Sequence, residues 1–109
     1  MIDTTTQEVT ADNFPSVVLE SVLPTLVDFW APWCGPCRVV AQILEKIALE
    51  NDKVEVVRLN IDEYPQLANE YTVMSIPTMI LFKDGVEVKR LVGLRPQHEI
   101  EAGIESFLG

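Results

Sequence analysis

Between Leu26 and Trp30 the chain is apolar at every position but Asp28. That pattern predicts a short strand buried on both faces. From Cys34 to about Glu50 the period changes, and Val39, Val40, Ile43, Leu44, Ile47 and Ala48 recur at helical spacing. Val54 to Ile61 is again rich in β-branched residues and reads as a second central strand. Further along, Thr78–Phe82 and Val86–Val92 flank Lys83-Asp84-Gly85, whose Asp-Gly pair predicts a tight hairpin. Ahead of the first central strand, Phe14, Val17, Val18 and Val22 mark a helix over Ala11–Ser21. Thr10 is placed to cap it, and Pro15 falls in its first turn, where a missing N–H costs little. Tyr64 to Tyr71 reads as a short helix with Pro65 in its first turn. A last helix begins near Pro96 and carries Ile100, Ile104, Phe107 and Leu108 on one stripe. Gly103 within it should cost about 1 kcal/mol relative to alanine.

With a weaker strand over Thr5–Val9, the order of elements is (β)αβαβαββα. Strand–helix–strand alternation argues for a parallel centre, and the late hairpin adds an antiparallel edge. The expected class is α/β: a three-layer sandwich in which helices flank one mixed sheet. No linker, repeat or low-complexity tract divides the chain, so residues 1–109 are expected to form a single domain. Nearly half the residues are apolar (48%) and 23% are charged, a composition that closes one core and excludes disorder.

Seventeen acidic residues against eight basic ones leave a net charge of −9. Such a field repels phosphate backbones and anionic lipid, so neither nucleic acid nor a membrane surface is an expected partner. The start of the chain, Met1 to Glu8, has neither a basic cluster nor an apolar run, so a cytoplasmic location is expected. No apolar stretch approaches the roughly 20 residues that span a bilayer.

The only cysteines lie in Trp33-Cys34-Gly35-Pro36-Cys37, just after a buried strand and at the start of the long helix. A helix N-terminus favours thiolate over thiol, so Cys34 should be the attacking sulfur. Cys37, about one turn later, is placed to attack the mixed disulfide that results. Three other readings compete. A structural disulfide would close a loop too short to remove much chain entropy. Zinc would need about four N/S ligands, and beyond the two cysteines the chain offers only the distant His98. Inert core cysteines fit poorly with an intervening Gly-Pro.

The chain resembles the thioredoxin family over nearly its whole length. The resemblance is carried by Asp28-Phe29-Trp30-Ala31-Pro32-Trp33-Cys34-Gly35-Pro36-Cys37, Asn60-Ile61-Asp62, Ser75-Ile76-Pro77-Thr78, Phe82-Lys83-Asp84-Gly85 and Val92-Gly93. It implies a thioredoxin-like fold and a redox disulfide between Cys34 and Cys37. Ile76 and Pro77 would be joined by a cis peptide in a loop facing the dithiol, with the Ile76 backbone free to pair with an extended substrate. Trp33, Ile61, Met74 and Gly93 would rim the same groove, and Gly35 and Pro36 would shape the turn between the sulfurs.

A carboxylate in so apolar a run is costly to ionise, and the Asp28 pKa should be raised. The resemblance places Asp28 beneath the disulfide, assisting proton transfer to and from Cys37. Arg58 stands where the family commonly has lysine. It cannot release its proton, and its long side chain is expected to turn its head to solvent. Gln42 replaces a common helix-kinking proline, so the helix from Cys34 should bend less, and Tyr64 replaces a capping asparagine.

The implied activity is reduction of protein disulfides by a monomer that binds no cofactor or metal itself. Recycling would fall to thioredoxin reductase, which draws on NADPH. Oxidase or isomerase chemistry, and a binding module with an incidental dithiol, are the rival functions.

Overall fold

The computed structural model describes residues 6–108. Five strands form one sheet: β1 (Gln7–Glu8), β2 (Thr25–Trp30), β3 (Glu55–Asn60), β4 (Thr78–Lys83) and β5 (Val86–Val92). Their spatial order is β1-β3-β2-β4-β5. Three α-helices accompany them: α1 (Gly35–Glu50), α2 (Pro65–Glu70) and α3 (Gln97–Glu105). Thr5, the first residue of the predicted initial strand, lies outside the described residues.

Alternation along the strands builds the layers. Leu26, Val56, Met79, Leu81 and Leu91 pack against Val40, Leu44 and Ile47 of α1 and Ile100 and Ile104 of α3. The intervening positions, Val27, Phe29, Val57, Leu59, Ile80 and Phe82, face the opposite way. They meet Phe14, Val18 and Leu67 from the segment before β2 and from α2. The result is the expected three-layer sandwich.

The parallel centre is only half parallel. β3 runs parallel to β1 and β2, whereas β4 runs antiparallel to β2. Helix length explains it. The sixteen residues of α1 span about 24 Å, enough to carry the chain back along a strand; the six residues of α2 span only about 9 Å. A six-residue strand is about 20 Å long, so the chain must enter β4 at the end where it left β3. The ends of β2, β3 and β5 and the start of β4 therefore gather at one edge of the sheet.

Three local readings need correction. The predicted helix over Ala11–Ser21 is a set of turns followed by a π-helical stretch, Pro15–Leu19, closed by the Glu20 N–H donating to the Pro15 carbonyl at 2.9 Å. Pro15 has no N–H to give Ala11, which loosens the winding there. Thr10 does cap this segment: its N–H donates to Asn13 Oδ1 at 2.7 Å, and its Oγ1 accepts from the Asn13 N–H at 3.2 Å. Val22 lies beyond the π turn and is fully exposed. Finally, α3 ends at Glu105, so Phe107 and Leu108 reach the core from a tightened last turn with Phe107 N–H on the Ile104 carbonyl.

Gly85 has a steric reason that composition does not show. Asp84 and Gly85 both have positive φ (54° and 78°), the geometry of a primed hairpin turn. A Cβ at Gly103 would sit 3.4 Å from the Leu91 side chain, an ordinary van der Waals contact, so packing of α3 on β5 does not require glycine there.

Candidate active site

Cys34 is the N-cap of α1, and its Sγ accepts a hydrogen bond from the Cys37 N–H at 3.2 Å. The cysteine Cα atoms are 5.3 Å apart and the two sulfurs are bonded. Pro36 occupies the first turn, where no backbone donor is needed. A Cβ at Gly35 would meet nothing within 4 Å, so no neighbour crowds that position. The first turn of α1 carries no acidic residue. The helix dipole and the Cys37 N–H both act on Cys34 Sγ, and both favour thiolate. Exposure separates the pair: Cys34 is 5% exposed and Cys37 1%, so an incoming disulfide meets Cys34 first. Helix α1 continues unbroken through Gln42.

Asp28 is fully buried, on the face of β2 that packs against α1. The sheet register sets Glu8, Arg58 and Asp28 side by side on β1, β3 and β2. The Arg58 head is not turned to solvent, as its length had suggested. Nε donates to Asp28 Oδ2 at 3.2 Å, Nη1 donates to Glu8 Oε2 at 3.4 Å, and the guanidinium lies 4.3 Å from the centre of the Trp30 ring. Burial on a sheet face holds the arginine stem down, and the nearest anions then take its donors. Burial nevertheless outweighs the cation, and the Asp28 carboxyl is pushed up to about 6. Its Oδ1 has no hydrogen-bond partner among the described residues. Cys37, Arg58, Trp30 and Gln42 share the walls of a hollow of about 370 Å³.

The remaining site residues converge through the shared sheet edge. Thr78 is opposite both Phe29 and Val92, which sets Pro77 and Gly93 beside the end of β2; the Gly93 N–H donates to the Pro77 carbonyl at 2.8 Å. The Ile61 N–H donates to the Trp30 carbonyl at 2.9 Å. The Ile76–Pro77 peptide is cis. Among the described residues, no backbone hydrogen bond outside the helices and strands engages Ile76. Trp33, next to Cys34 in the chain, is 66% exposed, and Met74, three residues before Pro77, is 88% exposed.

Three contributors carried no assigned role in the sequence: Glu8, Asp62 and Arg90. Asp62 Oδ1 accepts from the Trp33 indole N–H at 3.2 Å and fixes the orientation of that ring. Arg90 donates to the carbonyls of Tyr71 and Thr72 at 2.6 and 3.1 Å while forking onto Glu87 at 2.8 Å. It thereby ties the end of α2, and the segment leading to Met74 and Pro77, onto β5. Arg90→Ala is expected to lower the urea midpoint by the equivalent of about 1–2 kcal/mol with an unchanged slope. Arg90→Lys should recover little, because an ammonium cannot reproduce the fork. Full recovery by lysine would show that charge alone matters.

A mixed sheet with a bonded cysteine pair opening its longest helix defines a dithiol–disulfide oxidoreductase. The Thioredoxin family model matches residues 5–106. The chain is 49% identical over 98 residues to the chloroplastic M-type thioredoxin of Chlamydomonas reinhardtii, covering 89% of this chain and 70% of that one. It is 48% identical over 101 residues to thioredoxin 1 of Synechococcus elongatus (92% and 94% covered). With the thioredoxin of Mycolicibacterium smegmatis it shares 52% over 96 residues (85% and 86% covered). The chain belongs to the thioredoxin family and is a protein disulfide reductase.

Proposed function

We propose that the Cys34 thiolate attacks one sulfur of a substrate disulfide, forming a mixed disulfide and expelling the other substrate sulfur as a thiolate. Cys37, deprotonated, then attacks Cys34 Sγ, closing the Cys34–Cys37 bond and releasing the second substrate thiolate. Two electrons pass to the substrate, and the protein is left oxidised. The observation that carries this order is Cys34 at the N-cap of α1, the more exposed sulfur and the one that accepts the Cys37 N–H. Asp28 serves as the proton partner of Cys37 from beneath the pair; support comes from its burial on the α1 face and a carboxyl raised to about 6, which can hold or release a proton near neutral pH. Arg58 tunes that carboxyl without giving up a proton.

An extended substrate lies along the cis-proline loop, pairing with the Ile76 backbone between Trp33, Ile61, Met74 and Gly93. The oxidised pair is returned to dithiol by thioredoxin reductase drawing on NADPH, and the chain itself, a monomer, binds no cofactor. Such a reductant works in a reducing compartment such as the cytoplasm. The test is NADPH consumption with the reductase, this protein and a disulfide-bonded protein substrate. Turnover that needs all three components is expected. If the protein equilibrates with glutathione as an oxidant and supports no turnover, the oxidase reading replaces this one.

A further inference from the structure

We propose that Glu8, at the outer edge of the sheet, is a positioning residue that holds Arg58 on Asp28. The Glu8 carboxylate is shared: Oε1 accepts from the Trp30 indole N–H at 3.2 Å and Oε2 from Arg58 Nη1 at 3.4 Å. One carboxylate thus fixes both the ring on which the guanidinium lies and one arm of the guanidinium itself. The opposite edge of the same guanidinium, Nε, reaches Asp28 Oδ2. Glu8, Arg58 and Asp28 occupy one level across three neighbouring strands, so the pull of Glu8 and the contact with Asp28 lie on one line. Without Glu8 the arginine is free to follow its hydration outward, since its side chain is already partly exposed.

Among the described residues, the charged and titratable groups around this cluster are few. Glu63, from the turn after β3, acts on Glu8. Cys37 and Arg38 of α1 line the hollow that Arg58 also lines. From β4, the residue opposite Asp28 is the uncharged Met79. The influence of Glu8 on Asp28 stands on this geometry alone, whereas its influence on Cys37 rests on the reading of Asp28 given above.

Charge and position can be separated with two substitutions. Glu8→Gln removes the charge and keeps one oxygen, which can still accept from Arg58 Nη1 while the Trp30 N–H loses its acceptor. Glu8→Ala removes both. Asp28 should be followed by NMR titration of its carboxyl carbon in the oxidised protein. Glu8→Gln is expected to titrate below wild type, because a nearby negative charge has gone. Glu8→Ala is expected to titrate above Glu8→Gln by about one pH unit, the scale on which a departing cation releases a carboxyl. Two variants that titrate together, or an alanine variant that titrates lower, would overturn the positioning role, because charge would then be the whole effect. A parallel pH profile of mixed-disulfide resolution in Asp28→Asn isolates the other reading. A profile unchanged by that substitution removes Asp28 from the proton path and leaves the Glu8 titration result intact.

Discussion

Cys37→Ser is expected to accumulate mixed disulfides with substrate proteins, and Cys34→Ser is expected to accumulate none. In the first variant Cys34 keeps its place at the N-cap of α1, where the helix dipole and the residue 37 N–H favour the thiolate. It can attack, but nothing a turn away can resolve the product. In the second the remaining thiol is Cys37, 1% exposed, and a bulky disulfide cannot reach it. Both variants should lose turnover entirely, since neither can close the internal disulfide that completes two-electron transfer. Non-reducing gels after exposure to a disulfide-bonded substrate distinguish them, and reductant should dissolve the trapped species. Equal trapping by the two variants, or trapping only in Cys34→Ser, would reverse the assignment of attacking and resolving sulfur.

Much of the architecture was legible because burial on both faces leaves a continuous trace. Leu26–Trp30 and Val54–Ile61 fall within a residue of β2 and β3 at each end, since flanking helices leave Asp28 the one polar residue of the first run and keep five of the eight positions of the second apolar. The cysteine turn was legible because its chemistry is local: both sulfurs, the Gly-Pro between them and the helix that follows lie in one stretch of chain. The direction of β4 was not, because strand–helix–strand alternation looks the same whether the helix is long enough to return the chain or not. Only the brevity of α2 distinguishes the two.

The outer part of the site was hidden for a different reason. Pro77, Ile61 and Gly93 are gathered at the end of β2 through the register of four strands, so the family resemblance indicated them where spacing could not. Arg90 acts on the carbonyls of Tyr71 and Thr72, and a carbonyl has no letter of its own in a sequence. Glu8 and Arg58 are fifty positions apart; nothing short of the β1–β3 register aligns them. The outward Arg58 failed because long side chains reach solvent only where no buried anion lies closer, and Asp28 lies closer.

Asp28→Asn is expected to stabilise the protein at neutral pH while slowing its chemistry. Unfolded, the carboxyl ionises near 3.8; folded, burial pushes it up to about 6 in spite of Arg58. As pH rises between these values the unfolded chain loses its proton first, so the folded state is progressively disfavoured, and above the folded value the full penalty remains. Two pH units correspond to roughly 3 kcal/mol. Asparagine escapes that penalty but gives Arg58 Nε a neutral acceptor in place of a carboxylate, so a net gain of about 1–2 kcal/mol is expected above pH 6. Near pH 4 both side chains are neutral in the fold, and the difference should shrink toward zero. The rate should move the other way. Loss of the proton partner of Cys37 should slow resolution of the mixed disulfide by roughly tenfold to a hundredfold near neutral pH, the lower end of what a positioned acid or base contributes. Attack by Cys34, which relies on the helix terminus, should hardly change. Denaturant melts from pH 4 to pH 8 read the first effect, and single-turnover kinetics with a disulfide substrate read the second. A variant less stable at every pH would mean that the Arg58 contact outweighs desolvation. A stabilised variant with unchanged resolution would mean that Cys37 exchanges its proton with solvent directly.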